Sequence, residues 1–376
     1  CAFRQGCRTV SEKPLVMLSR LGRFAAPTLA LAMLAVALTP RDAVTRAPAP
    51  EGCITPNRSM TLYAEELPRA EGRPRIGYGL TPDTATIPGP TIEMYEGECL
   101  AITLVNDVSA EVLREIRNDP VIGGGDPGDP LGVSLHFHGV KYLPSSDGTF
   151  ETESFVPPGS SRTSIIYAAP RAPVPGGLYS PGTAGYWWYH DHVVGTSHGT
   201  GGAASGLLGA LIVRRPEDPL PDRSYVVAMG PDATINLRKY PDTDCDPQDP
   251  VPSNSCYLAE EGELVEFAVI GFGNDFHTFH LHGHSWAETR TGFLSGPTAP
   301  ERVLDNRTIG PADTFGFMVY AGSEVGVGSW MLHCHVQLHS DAGMTTFLHV
   351  LPEGAMDGPV TLPSIASPAE IPSHRH

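Results

Sequence analysis

No Cys-x-x-Cys pair occurs anywhere in the chain, although seven cysteines are present, so no closely spaced thiol pair is available for redox or metal work. Basic residues are scarce: 25 Lys and Arg stand against 42 Asp and Glu, a formal net charge of −17. Such a surface repels nucleic acid and anionic lipid and favours cationic or neutral partners, and an acidic secreted protein carries it without any partner at all. Beyond residue 38 no apolar run approaches the length of a membrane span, and no long amphipathic helical pattern is present. What the chain has instead is glycine (41) and proline (37), about a fifth of its 376 residues, which suits short strands joined by turns. A hydrophobic fraction of 41% is enough to build real cores. The length accommodates two ordinary domains or one large barrel.

Arg20 and Arg23 precede an apolar run from Phe24 to Leu38, and small residues and prolines follow up to Pro50. A positive start, a short apolar middle and a small-residue exit read as a secretory leader over residues 1–47, with Met17 as a candidate start. The mature protein is then expected outside the cell or in the periplasm. The competing reading is an uncleaved anchor, against which stand the shortness of the run and Pro27 within it. Cys1 and Cys7 fall inside the leader. Cys245 and Cys256 bracket a short Pro/Asp/Ser loop and are candidates for a local disulfide; Cys53 and Cys99 are candidates for a second, a pairing that sequence does not establish. Cys334 is left over.

Strand-like segments recur between turn residues: Met60–Ala64, Leu100–Val105, Val133–His138, Ser164–Tyr167 and Leu208–Val213. A Pro-rich stretch, Arg214–Asp222, reads as a linker. A second series follows at Tyr225–Met229, Leu264–Ile270, Phe315–Tyr320, Trp330–His335 and Thr346–Val350. Period-two alternation is clear in Cys99–Val105 and Leu264–Ile270. The expected class is all-β, two β-sandwich domains over 52–215 and 216–353, with a tail over 354–376. The halves echo each other. Tyr189-His-Asp-His192, His198 and Gly206-Leu207 in the first answer to Leu332-His-Cys-His335, His339 and Gly343-Met344 in the second.

Ten of the fifteen histidines fall into four clusters: His136-Phe-His138, His190-Asp-His192, His277-Thr-Phe-His280-Leu-His282, and His333-Cys-His335 with His339. Residues i and i+2 of a strand share a face, roughly 6.6 Å apart, so such pairs converge on one metal or two adjacent ones. His136, His138, His190, His192, His280, His282, His333 and His335 offer eight imidazoles, too many for one zinc and suited to several copper ions. Cys334 lies between two of these histidines and points to the opposite face. With His277, His339 and Met344 it makes the two-His, one-thiolate, weak-Met set of a blue-copper electron-transfer site. Asp191 stands where Cys334 would be in the first half, and Leu207 replaces the Met, so one blue site is expected, not two. His198 is expected to be structural or to support a ligand.

At these four motifs the chain is similar to the multicopper oxidases, specifically to two-domain bacterial small laccases. The likeness runs from about Leu62 to the end of the second half. It is carried by Gly185-Tyr-Trp-Trp-Tyr-His-Asp-His-Val-Val-Gly195, His277-Thr-Phe-His-Leu-His-Gly-His284 and Met331-Leu-His-Cys-His-Val-Gln337. The resemblance implies cupredoxin-like Greek-key β-sandwiches and four coppers per chain. His277, Cys334, His339 and Met344 would form the type 1 site, and His136 and His280 the type 2 site. His138, His190 and His335 would hold one type 3 copper; His192, His282 and His333 would hold the other. Tyr142 and Asp147 match a tyrosine and an acid near the cluster that serve redox support and proton delivery, and Asp305 holds a similar position. The implied activity is one-electron oxidation of phenols and aromatic amines coupled to reduction of O₂ to water, in a homotrimer that shares each cluster between chains. Three rivals differ. A copper nitrite reductase carries its blue copper in the first domain and too few histidines; a Cu(I) or Fe(II) oxidase usually adds Met-rich or acidic segments, and no such segment stands beside Cys334; an electron carrier leaves eight histidines unexplained.

Overall fold

The computed structural model describes residues 49–53, 55–245 and 255–357. The leader read over 1–47, with Cys1 and Cys7, and the tail from 358 onward lie outside the described residues. Among the described residues no helix is long and apolar enough to cross a membrane.

Two pairs of facing sheets form the bulk of the described residues, beside two small two-stranded sheets. In the first half one sheet runs Arg73–Gly79, Arg58–Ala70, Cys99–Asn106, Ser161–Tyr167 across its width, and the other Gly89–Tyr95, Leu208–Arg214, Gly185–His190, His136–Phe137. The second half repeats this: Thr234–Ile235, Arg223–Gly230, Leu264–Gly271, Thr314–Tyr320 against Tyr257–Glu260, Thr345–Leu351, Gly328–Cys334, His277–Leu281, Asn306–Ile309. The pairing senses match strand for strand. Arg58–Ala70 with Cys99–Asn106 is parallel, as is Arg223–Gly230 with Leu264–Gly271. The His136↔His190 pair of the first half has its counterpart in His280↔His333. The motif echo is thus a repeat of the whole fold.

Each half buries its own apolar core between its sheets, with Leu62, Leu100, Ile102, Leu104, Phe137 and Leu211 in one, and Val265, Phe267, Phe279, Phe317 and Leu348 in the other. A third cluster joins the halves: Tyr186, Trp188, Leu208, Ala210 and Ile212 pack on Ala228, Ala268, Ile270 and Phe272. The alternation read for Leu264–Ile270 does mark a strand, but both of its faces are covered. All eight residues of Leu264–Gly271 are buried, because the face turned away from the second core meets the first half. Its one charged residue, Glu266, is fully buried and accepts from both terminal guanidinium nitrogens of Arg214 at 2.7 Å. Arg214 therefore ends a strand and ties the halves together instead of opening a linker. The Cys99 stretch departs less from its pattern, with Leu100, Ile102 and Leu104 inward. Its outer residues Cys99 and Ala101 are covered through Cys53, which is disulfide-bonded to Cys99. Cys245 and Cys256 form the second disulfide, and Cys334 is free. A nine-residue helix, Ala110–Asn118, was not read from sequence; Ser109 caps it and Leu113 and Ile116 anchor it.

Candidate metal centre

Strand alternation sorts the groups around Cys334. Leu332 and Cys334 point into the second core, while His333 and His335 fall on the other side. Phe279 pairs with Cys334 across the sheet, which sets His277 beside the sulfur, and the short helix Gln337–Asp341 brings His339 back to it. Nδ1 of His277 and Nδ1 of His339 are 3.3 Å apart, and Cys334 Sγ is 3.7 Å from the latter. The Thr278 N–H donates to the sulfur at 3.4 Å. Met344 is fully buried in the same core; its carbonyl accepts the Cys334 N–H at 3.0 Å and its N–H donates to the His339 carbonyl at 2.9 Å. Burial, then the neighbouring His339, pushes His277 down to about 4, and burial pushes the Cys334 thiol up. Two imidazoles, a thiol and a thioether gathered at the edge of one core form a soft donor set, which suits copper.

The eight remaining imidazoles form two separate sets. In the first, His136, His138, His190 and His192, neighbouring rings lie 4.9 to 5.8 Å apart. In the second, His280, His282, His333 and His335, neighbouring rings lie 4.8 to 5.4 Å apart. Each set holds one pair nose to nose: Nε2 of His138 and His190 at 3.2 Å, and Nε2 of His282 and His333 at 3.2 Å. Nδ1 of His190 is tied to the Asp191 carbonyl at 2.7 Å and Nδ1 of His333 to the Cys334 carbonyl at 2.9 Å. A carbonyl only accepts, so each Nδ1 carries the proton and each Nε2 presents a lone pair to its partner. Burial holds His190 well below the ordinary imidazole range and takes His138 down to about 4. A cation bound between the facing Nε2 atoms would take a lone pair from each ring. Among the described residues no ring contact joins the first set to the second within one chain.

Two of these imidazoles, His136 and His280, have matched surroundings. His136 Nδ1 donates to the Asp147 carbonyl at 2.7 Å with the carboxylate at 3.5 Å, and His280 Nδ1 donates to the Asp305 carbonyl at 2.8 Å with the carboxylate at 4.0 Å. Tyr142 lies 6.1 Å from the His136 ring; burial, then Asp147, pushes its phenol up to about 12.

The multicopper oxidase family model matches residues 221–354, the half that holds the sulfur site. The chain is 30% identical over 280 residues, 71% of its length, to a "Probable nitrite reductase-hydroxylamine oxidoreductase fusion protein" of Kuenenia stuttgartiensis, covering 28% of that protein. It is 35% identical over 151 residues, 38% of its length, to "Multicopper oxidase LPR1 homolog 1" of Oryza sativa subsp. japonica, covering 23% of it. A crystal structure of a multicopper oxidase shares the fold with a TM-score of 0.50 at 21% identity, over 81% of this chain and 92% of that one. The chain belongs to the multicopper oxidase family. It spans about a quarter of the length of the curated relatives it matches.

In this multicopper oxidase Asp191 is a clamp. Fully buried, it accepts the N–H groups of Ser134 (2.7 Å), Val193 (3.0 Å) and Val194 (2.6 Å). Burial pushes its carboxyl up to about 7 against the pull of those donors. These bonds also explain why Val133–His138 is not a full strand: Ser134 gives its N–H to Asp191 and its carbonyl to the Tyr78 hydroxyl, leaving only His136–Phe137 in the ladder. Leu207 is buried and its carbonyl accepts the Asp191 N–H, as Met344 does for Cys334. His198 is exposed, 5.7 Å from the His192 ring. His284 is a satisfied core residue, Nδ1 on the His282 carbonyl and Nε2 accepting the Gly322 N–H.

Sequence reading gave no role to the glycine that follows two of the His-x-His pairs, Gly139 after His138 and Gly283 after His282, each making an HxHG motif. Gly139 (φ 76°) and Gly283 (φ 70°) lie against the indoles of Trp187 and Trp330. The signal was present: each tryptophan stands three residues before a ligand histidine, Trp187 before His190 and Trp330 before His333. Trp188, stacked on His190, was passed over as well.

Proposed function

We propose that the chain is a laccase-type oxidase, exported from the cell, that oxidises small aromatic reductants one electron at a time and reduces O₂ to water. The observation that carries the reading is the shared strand end of Cys334, His333 and His335. It joins a sulfur-containing donor set on one face to an imidazole set on the other through adjacent peptide units. Copper at these positions supplies one-electron acceptance at the sulfur and the reduction of O₂ among the imidazoles.

The chain's own groups then have distinct tasks. His277, Cys334, His339 and Met344 would hold the type 1 ion. His277 is fully buried whereas His339 is partly exposed, so His339 offers the edge that a reductant reaches. Phe276 and Leu338, 66% and 79% exposed and each one residue before a ligand, give that edge an apolar surround suited to aromatic rings. His136 of one copy and His280 of a neighbour would hold the type 2 ion. The close pairs His138–His190 and His282–His333 each need one more imidazole, supplied by His335 and His192 of a neighbouring copy. A homotrimer with four coppers per chain meets that need. Asp147 and Asp305 orient His136 and His280 through their carbonyls and keep carboxylates nearby to deliver protons.

Copper content with visible and EPR spectra tests this. Loaded protein is expected to hold about four coppers per chain and to show the intense thiolate-to-copper band of a blue site. Cys334→Ser should abolish that band and lower the content to about three. A wild-type content of about two, without the signature of a coupled pair, overturns the reading. Steady-state rates with a phenol, Fe(II), Cu(I) and nitrite, run side by side, decide between the laccase reading and its metal-oxidase and nitrite-reductase alternatives.

A further inference from the structure

Trp188 touches both the first histidine set and the apolar seam between the halves. Its indole stacks on His190 with ring centroids 4.0 Å apart and planes 20° apart, and lies 5.2 Å from His138. It is 4% exposed, and its N–H has no hydrogen-bond partner. Buried indole N–H groups usually have one, so this ring is held for its π contact with the imidazoles and not for a polar bond. Alternate residues of the strand Gly185–His190 share a face, which puts Tyr186 next along the seam, roughly 6.6 Å farther from the histidines. Both rings pack on Ala228, Ala268, Ile270 and Phe272. The Tyr186 hydroxyl donates to Glu266 Oε1 at 2.8 Å, and Arg214 and Ser224 hold the same carboxylate. In the second half Met331 occupies the place of Trp188, so the arrangement occurs on one side only.

We propose that Trp188 and Tyr186 form a redox branch, an internal one-electron source for the centre that His138 and His190 help to build, with Glu266 as its proton acceptor. The role rests on the reading of those histidines as part of an oxygen-reducing copper centre. The oxidant is incompletely reduced dioxygen, present when electrons from outside run short. Trp188 gives up one electron and becomes an indole cation radical, keeping its proton because no acceptor adjoins the N–H. Tyr186 then returns one electron to the indole and passes its phenolic proton to Glu266. One electron has reached the oxidant, one proton rests on Glu266, and a neutral tyrosyl radical remains on Tyr186. An electron from the external reductant and the proton from Glu266 restore the phenol. The apolar seam suits this, since both rings are buried and no cysteine belongs to the cluster around them.

Full-length copper-free protein tests the relay without any metal. A near-ultraviolet laser pulse ionises its tryptophans, and transient absorption follows the radicals. Conversion of indole radical to tyrosyl radical is expected in wild type, with the fast component lost in Tyr186→Phe and in Trp188→Phe. Tyr186→Phe keeps the ring and leaves Glu266 with Arg214 and Ser224, so the test survives if Trp188→Phe fails to fold. A fast component undiminished in Tyr186→Phe overturns the proposal. In the copper-loaded enzyme, freeze-quench EPR after adding O₂ with too little reductant should show a tyrosyl signal that Tyr186→Phe lacks. Copper content, measured first, separates the two readings. A relay that runs in protein unable to bind copper at His138 and His190 overturns the oxygen-centre reading and the role assigned here; bound copper with no relay overturns the branch alone.

Discussion

At the scale of single residues, the two glycines that close the HxHG motifs are fixed by tryptophans. A Cβ on Gly139 would stand 2.0 Å from the Trp187 ring, and one on Gly283 would stand 2.6 Å from that of Trp330. Neither indole is free to move away, since Trp187 donates to the Thr183 carbonyl at 2.8 Å and Trp330 to the Gly326 carbonyl at 3.2 Å. Both glycines also have left-handed φ, which costs any other residue about 1 kcal/mol or more. Adding an overpacking cost of about 1–3 kcal/mol, Gly139→Ala should lose roughly 2–4 kcal/mol of stability. Gly283→Ala should lose less, its contact being looser. Thermal unfolding with a copper titration checks this: Gly139 adjoins His138, so Gly139→Ala is expected to bind copper more weakly as well as to melt earlier. An unchanged melting temperature would show that the tryptophan yields.

At the scale of elements, the strand Leu264–Gly271 shows where a local pattern stops being informative. Its alternation identified a strand correctly, because β-branched and aromatic residues at every second place fit one buried face. It did not reveal that the other face, Ala268 and Ile270, is also covered, since the covering residues belong to the first half. Glu266 was the misleading residue: a carboxylate inside a strand reads as solvent-facing, and only the fold brings Arg214 to it. The ligand motifs were legible for the opposite reason, because a spacing of two residues sets the geometry within one strand. Contacts made across long separations were not, such as Asp191 with Ser134, 57 positions apart. The buried pair gives a sharp expectation. Glu266→Ala leaves Arg214 without its principal partner in a dry seam and should cost about 3–5 kcal/mol, whereas Arg214→Met with Glu266→Leu should cost much less. Denaturant unfolding of the single and double variants measures both; a double variant as unstable as the single would mean that the pair itself, and not the stranded charge, matters.

At the scale of the whole molecule, the question is which chain completes each histidine set. The stacked sheets keep the first set in one half and the second in the other, with no ring contact between them among the described residues. A ring of copies, each giving its first set to one neighbour and its second to the other, uses every set once and leaves none over. That architecture makes a distinctive prediction for mixtures of two inactive proteins. One variant carries His138→Ala and His190→Ala, the other His282→Ala and His333→Ala. Alone, each lacks one side of every centre and should not reduce O₂. Co-expressed in equal amounts, they build rings in which some junctions join the intact first set of one chain to the intact second set of the other. Random assembly makes about a quarter of the junctions whole, so about a quarter of wild-type O₂ consumption per chain should return. If each centre formed within a single chain, every chain in the mixture would still carry one broken set, and no activity would return at any mixing ratio.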